Sequence, residues 1–160
     1  MKKYHIDELD HQILDVLIEN ARTPFTDIAK KYKVSAGTIH IRVNKMIEEG
    51  IIKGATLKLD YDKLDYSFIA YVGLHLVKSS STTFVLDELK KIPEITVAHL
   101  TTGKFGVFCK VRAKDTKHAK DIIFRIDNIP EVQRTETSIS LEESINDKNR
   151  LMHHIFDELT

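Results

Sequence analysis

Cysteine occurs once in the 160 residues, and no stretch approaches the roughly 20 apolar residues that a membrane-spanning helix needs. Cys109 therefore cannot form an internal disulfide, and within the strand-like run GVFCKV it reads as a buried thiol of a reducing compartment. The amino-terminal MKKYHIDELD lacks the apolar core of a secretory signal, so the expected setting is cytoplasmic, with no membrane partner. Charge of one sign is missing too: 24 Lys+Arg balance 24 Asp+Glu, and the whole chain gives no sign of a nucleic-acid partner. Enzyme signatures are absent: there is no phosphate-binding glycine motif, no nucleophile elbow and no HExxH or CxxC spacing. The eight histidines share no recurrent ligand spacing with Cys or carboxylates. Neither catalytic residues, nor a metal, nor a cofactor is expected. At 42% hydrophobic and 30% charged, the chain can hold one ordinary domain or two small ones that need a partner to bury enough surface.

What the chain has is an uneven distribution of charge. From Arg22 to Lys45 six basic residues face the single acid Asp27, a local charge of +5, whereas Met1 to Ala21 carries a net −3. A basic face confined to one segment is the footprint of phosphate neutralisation, or merely of solvated lysines. The same segment, PFTDIAKKYKVSAGTIHIRVNKMIEEG from Pro24 to Gly50, reads as two helices joined by a tight turn. Thr23 is placed to cap the first, with Pro24 at the first helical position. Ser35 caps the second, with Val34 and Ile39 as a hydrophobic staple, and Gly50 stops it where a left-handed backbone suits glycine.

The helical period places Ile39, Val43, Met46 and Ile47 on one side of that second helix. The opposite side carries Gly37, Thr38, Ile41, Asn44 and Lys45, with His40 and Arg42 on the flanks. Thr38 and Asn44 can exchange hydrogen bonds with base edges, Arg42 and Lys45 can reach guanine or phosphate, and Ile41 suits a thymine methyl. With the cap Ser35 these form the candidate DNA-reading set. A solvated amphipathic helix would show the same pattern.

The pattern changes near Tyr61. Before it, Leu9, Ile13, Leu14, Leu17 and Ile18 mark a first helix from about Glu8 that completes a three-helix domain, followed by an extended connector from Ile51 to Leu59. After it come a strand (Ser67 to Val77), a helix (Thr83 to Lys91), two strands (Ile95 to Thr102 and Gly106 to Arg112), a helix (Thr116 to Asn128) and a strand (Val132 to Leu141). KIPEITV around Pro93 recurs as NIPEVQR around Pro130, each after a helix, as two halves of a ferredoxin-like βαββαβ unit would show. The expected class is α+β, with a helix-turn-helix domain over 1–60 and a ferredoxin-like domain with a tail over 61–160. The strand SFIAYVGLHLV is apolar on both parities, whereas two helices cover only one face of such a sheet. A second copy is the economical cover, and a homodimer matches two DNA half-sites.

An amino-terminal helix-turn-helix followed by this unit resembles the Lrp/AsnC (leucine-responsive, feast/famine) transcription factors. The stretches that carry the resemblance are IDELDHQILDVLIENARTPFTDIAKK, VSAGTIHIRVNKMIEEGIIKG, TTGKFGVF and IPEVQRTETSISL. It implies a sequence-specific regulator of double-stranded DNA, dimers that assemble further to an octamer, and a second domain that senses amino acids or related small molecules. By the same resemblance the effector site comprises Thr101, Thr102, Gly103, Lys104, Phe105 and Gly106, with Thr135 and Thr137 as neighbours. Glycines let backbone amides approach a carboxylate, although the spacing alone is equally that of a hairpin turn. Three residues depart from the family pattern. Gly106 stands where an acid is usual, which removes a partner for an α-ammonium group. Lys33 stands at a turn position often held by glycine, and Ile41 replaces a frequent basic residue. Two other readings stay open: an effector-independent DNA-architectural protein, and a ferredoxin-like ligand-binding protein that does not bind DNA.

Overall fold

The computed structural model describes residues 4–147 and 150–159, which divide into a helical unit up to Lys58 and a sheet unit, Leu59–Ser144. The chain from Ile145 on groups with the helical unit, where its helix lies beside α1; the sequence reading had joined this tail to the sheet domain.

In the helical unit, α1 spans Glu8–Glu19, α2 Phe25–Tyr32 and α3 Ala36–Glu48. A reciprocal capping box opens α1, in which the Asp7 carboxylate accepts from Asp10 N–H and the Asp10 carboxylate from Asp7 N–H. Thr23 does not cap α2. Its hydroxyl donates to Asn20 O at 2.8 Å instead, and Pro24 takes the cap position with no side-chain bond. Lys33 between α2 and α3 is left-handed at φ 56°, ψ 42°, a conformation costing a non-glycine residue about 1 kcal/mol. Gly50, at φ 72°, closes α3 in a Schellman turn: its N–H donates to Ile47 O and that of Ile51 to Met46 O. Ile13, Leu14, Ile28, Ala29, Ile39, Val43 and Met46 form the core where the three helices meet.

The sheet unit follows the expected order: β1 (Phe68–Leu76), α4 (Thr82–Leu89), β2 (Ile95–Leu100), β3 (Val107–Ala113), α5 (Thr116–Asp127), β4 (Val132–Ile139). Its strands lie in the order β2-β3-β1-β4, all neighbours antiparallel, which is the ferredoxin-like arrangement. The repeated Ile-Pro-Glu motif has one physical cause. In both copies the isoleucine is buried, its N–H donates to the last turn of the helix before it, and its carbonyl accepts from the residue three further on. Both helices are thereby turned back into an edge strand.

Strand alternation sends Ala70, Val72, Leu74, Val107, Cys109, Val111 and Ala113 into the core beneath the helices. Burial pushes the Cys109 thiol up to about 11, which leaves it an inert core residue. The opposite face is not a second aliphatic layer. It carries Tyr71 stacked on Phe108 and Phe108 stacked on Phe105, all half-buried.

Candidate nucleic-acid interface and effector cleft

The outer side of α3 is organised from its first turn. Ser35 Oγ accepts from Thr38 N–H at 3.0 Å, and the two hydroxyls lie 2.9 Å apart, so Thr38 is oriented at the start of the helix. Beyond it Ile41 is 70% exposed, and Asn44 and Lys45 are exposed one turn further on. Lys45 Nζ lies 4.8 Å from the centre of the Tyr4 ring. Two residues sit differently from their expected positions. Ile47, expected on the core side, is exposed, because the core contact closes around Ile39, Val43 and Met46.

Arg42, expected among the readers, is turned back onto α1. Its guanidinium pairs with the Asp7 carboxylate and lies 3.3 Å from both oxygens of Asp10, whose side chain is wholly buried. Tyr4 donates its hydroxyl to Asp10 Oδ2 at 2.8 Å. Burial raises the Asp7 carboxyl, but the Arg42 hydrogen bond and the Asp10 amide outweigh it and hold that group below its ordinary value. A buried carboxylate needs such partners, so Arg42 is a brace between α1 and α3.

The second site lies at one end of the sheet. All six residues Thr101, Thr102, Gly103, Lys104, Phe105 and Gly106 line an open cleft of about 400 Å³, together with His75, Leu76, Ser79, Thr82, Leu100 and Gln133. The β2–β3 hairpin is laid onto β1. Gly106 N–H donates to Leu74 O at 2.9 Å, and the Thr101 hydroxyl donates to Phe105 O at 2.6 Å across the turn. Phe105 lies over Gly73, where a Cβ would come within 2.6 Å of its ring. A Cβ on Gly106 would stand 2.9 Å from Leu76 Cγ and Cδ1, so a side chain at 106 would require the Leu76 side chain to move.

Thr135 and Thr137 do not join this cleft. They pair in register with Leu74 and Val72, whose side chains point to the helices. Thr135 accordingly donates to Asp127 Oδ1 at 2.8 Å, and Thr137 lines a separate apolar groove with Phe124 and Ile139. The residue between them, Glu136, faces the cleft side. Its carboxylate meets His75 Nε2 at 2.9 Å and Lys104 Nζ at 2.5 Å, with an Arg134 nitrogen at 3.2 Å. Lys104 first and His75 second hold the Glu136 carboxyl below its ordinary value. Sequence reading placed neither Glu136 nor His75 beside this hairpin. The available signal was parity: any residue one step from a core-facing strand position belongs to the other face.

Comparison with known proteins agrees with both halves. A winged helix-turn-helix DNA-binding family profile matches residues 6–53, and the Lrp/AsnC ligand binding domain profile matches 69–149. The regulatory protein AsnC of Escherichia coli is 38% identical over 146 residues, covering 91% of this chain and 96% of that protein. The solved structure of E. coli AsnC superposes with a TM-score of 0.87 at 36% identity, over 91% of this chain and 98% of that one. A transcriptional regulator from Neisseria meningitidis, solved in complex with L-methionine, shares the fold at a TM-score of 0.86 and 18% identity, over 94% of this chain and 99% of its own. Among the described residues, no helix is long and apolar enough to cross a membrane.

Proposed function

We propose, from the premise that this chain belongs to the Lrp/AsnC family of transcriptional regulators, that it reads double-stranded DNA through Ser35, Thr38, Ile41, Asn44 and Lys45. In this reading Arg42 is a positioning residue behind the helix. The observation that carries it is the exposure of Ile41 at 70% on a helix whose other side is anchored in a core. A large apolar side chain at the centre of that face suits contact with a thymine methyl in the major groove. Thr38 and Asn44 supply hydrogen bonds at base edges, and Lys45 supplies charge for guanine or phosphate.

The reading protein is a homodimer joined through the open sheet face, where Tyr71, Phe105 and Phe108 offer a half-buried aromatic surface. Two copies present two reading helices to half-sites spaced by about one helical turn, and four dimers build the octamer that family resemblance implies. The cleft beside the β2–β3 hairpin takes an effector of the amino-acid class. Linkage then requires that the effector bind two assembly states, or two DNA-bound states, with different affinity. The expected setting is cytoplasmic.

Selection of binding sites from a randomised duplex pool tests the DNA reading. The parent should enrich one motif with two-fold symmetry, and Ile41→Ala should relax the preference at one base pair of each half-site. Equal affinity for unrelated duplexes would make the protein an architectural binder instead. Failure to bind any duplex at low salt would leave the cleft as the functional part.

A further inference from the structure

The acid that position 106 lacks is present on another strand. A Cβ at position 106 would stand 2.9 Å from the Leu76 side chain, so a larger residue there would have to displace Leu76. Antiparallel pairing of β1 with β4 places Glu136 opposite Gly73, the glycine that Phe105 covers, and its carboxylate reaches two cleft-lining groups, His75 and Lys104. Its two oxygens are held differently. Oε1 receives His75 Nε2 and stands 3.2 Å from Arg134, whereas Oε2 receives only Lys104 in the contacts described above.

We propose that Glu136 is the acceptor for the ammonium group of an amino-acid effector, and that Lys104 occupies this acceptor as an internal competitor which the effector displaces. The proposal rests on the reading of the cleft as the effector site. Lys104 is a chemical mimic of the incoming group, since both are primary ammonium ions with three donors. It is also easily displaced. Its side chain is 60% exposed and follows Gly103 at φ 138° in the hairpin turn, and exposed ion pairs of this kind are weak. His75 and Arg134 remain on Oε1 when Lys104 leaves, so the carboxylate keeps its orientation while Oε2 is exchanged from one ammonium to another. The open turn at Gly103, where nothing lies within 4 Å of the Cβ direction, leaves room for the effector carboxylate. Selectivity follows: a ligand without a free ammonium gives Glu136 nothing in return for Lys104, and N-acylated amino acids are excluded.

Titration calorimetry of the full chain with the standard L-amino acids and their N-acetyl derivatives tests this, using the parent, Lys104→Met and Glu136→Gln. Removing the competitor should tighten binding of a free amino acid by about two- to fivefold, the range set by a weak exposed pair. Glu136→Gln should weaken it by roughly tenfold or more, because an ionic acceptor becomes neutral. The N-acetyl forms should bind none of the three proteins. Weaker binding to Lys104→Met would show that Lys104 holds the ligand, and unchanged binding to Glu136→Gln would show that the carboxylate is not the acceptor. Either result overturns the displacement and leaves the cleft as an effector site. No amino acid binding to any of the three proteins removes the effector reading and the displacement with it.

Discussion

Replacing Arg42 by alanine separates a brace from a DNA contact, because the two roles change different measurements. The substitution removes the guanidinium from Asp7 and from both oxygens of the wholly buried Asp10. Breaking a fully buried ion pair costs about 3–5 kcal/mol. Two features reduce that here. Arg42 itself is 32% exposed, and Asp10 keeps the Tyr4 hydroxyl and the Asp7 amide as partners. The expected loss is therefore about 2–3 kcal/mol, which in a chain of this size lowers the melting temperature by roughly 4–12 °C. Thermal melts followed by circular dichroism measure the first quantity, and fluorescence anisotropy with an operator duplex over a range of salt measures the second. The salt slope should stay at the parent value while affinity falls through a less firmly held α3. A slope reduced by about 0.9 with an unchanged melting temperature would mean that Arg42 contacts phosphate, and the reasoning would be refuted.

Lys45→Ala should leave the melting temperature within about 2 °C of the parent and reduce the salt slope by about 0.9 if the ammonium contacts one phosphate; an unchanged slope removes Lys45 from the interface. Lys33→Gly should stabilise the protein by about 0.5–1 kcal/mol in urea titration, since glycine adopts the left-handed turn at φ 56° without the Cβ clash. Gly73→Ala should destabilise the sheet unit by about 1–3 kcal/mol and weaken effector binding, because the new Cβ meets the Phe105 ring at 2.6 Å and lifts the hairpin that walls the cleft. In acid, the Asp7 carboxyl, held below its ordinary value, contributes stability that is complete above the unfolded value of about 3.9 and is lost as pH falls through the lower folded one. Melting temperatures from pH 6 down to pH 2 should fall more steeply in the parent than in Asp7→Asn, and parallel curves would contradict the pairing.

Element order was legible from the chain because each signal was local. Ser35 caps α3 through its own backbone neighbourhood, Gly50 ends it by its own φ, and the two Ile-Pro-Glu turns each close within a few residues. The hairpin Thr101 to Gly106 was legible as a turn from its glycines, and only family resemblance pointed to the cleft it lines. Hydrophobic periodicity likewise marked Ile39, Val43 and Met46 as core.

What the sequence could not decide depended on pairing between distant residues. Arg42 looks like a reader from its place on a helix, and only the fold brings Asp7 and Asp10, more than thirty positions away, against it. Thr135, Glu136 and Thr137 are adjacent in sequence, and the register against β1 alone assigns the threonines to the helix side and the glutamate to the cleft. Local rules set which elements form and where they end. Tertiary packing set which face each side chain occupies, because a strand reverses its side-chain direction at every residue and a charged group takes the partner that burial forces upon it.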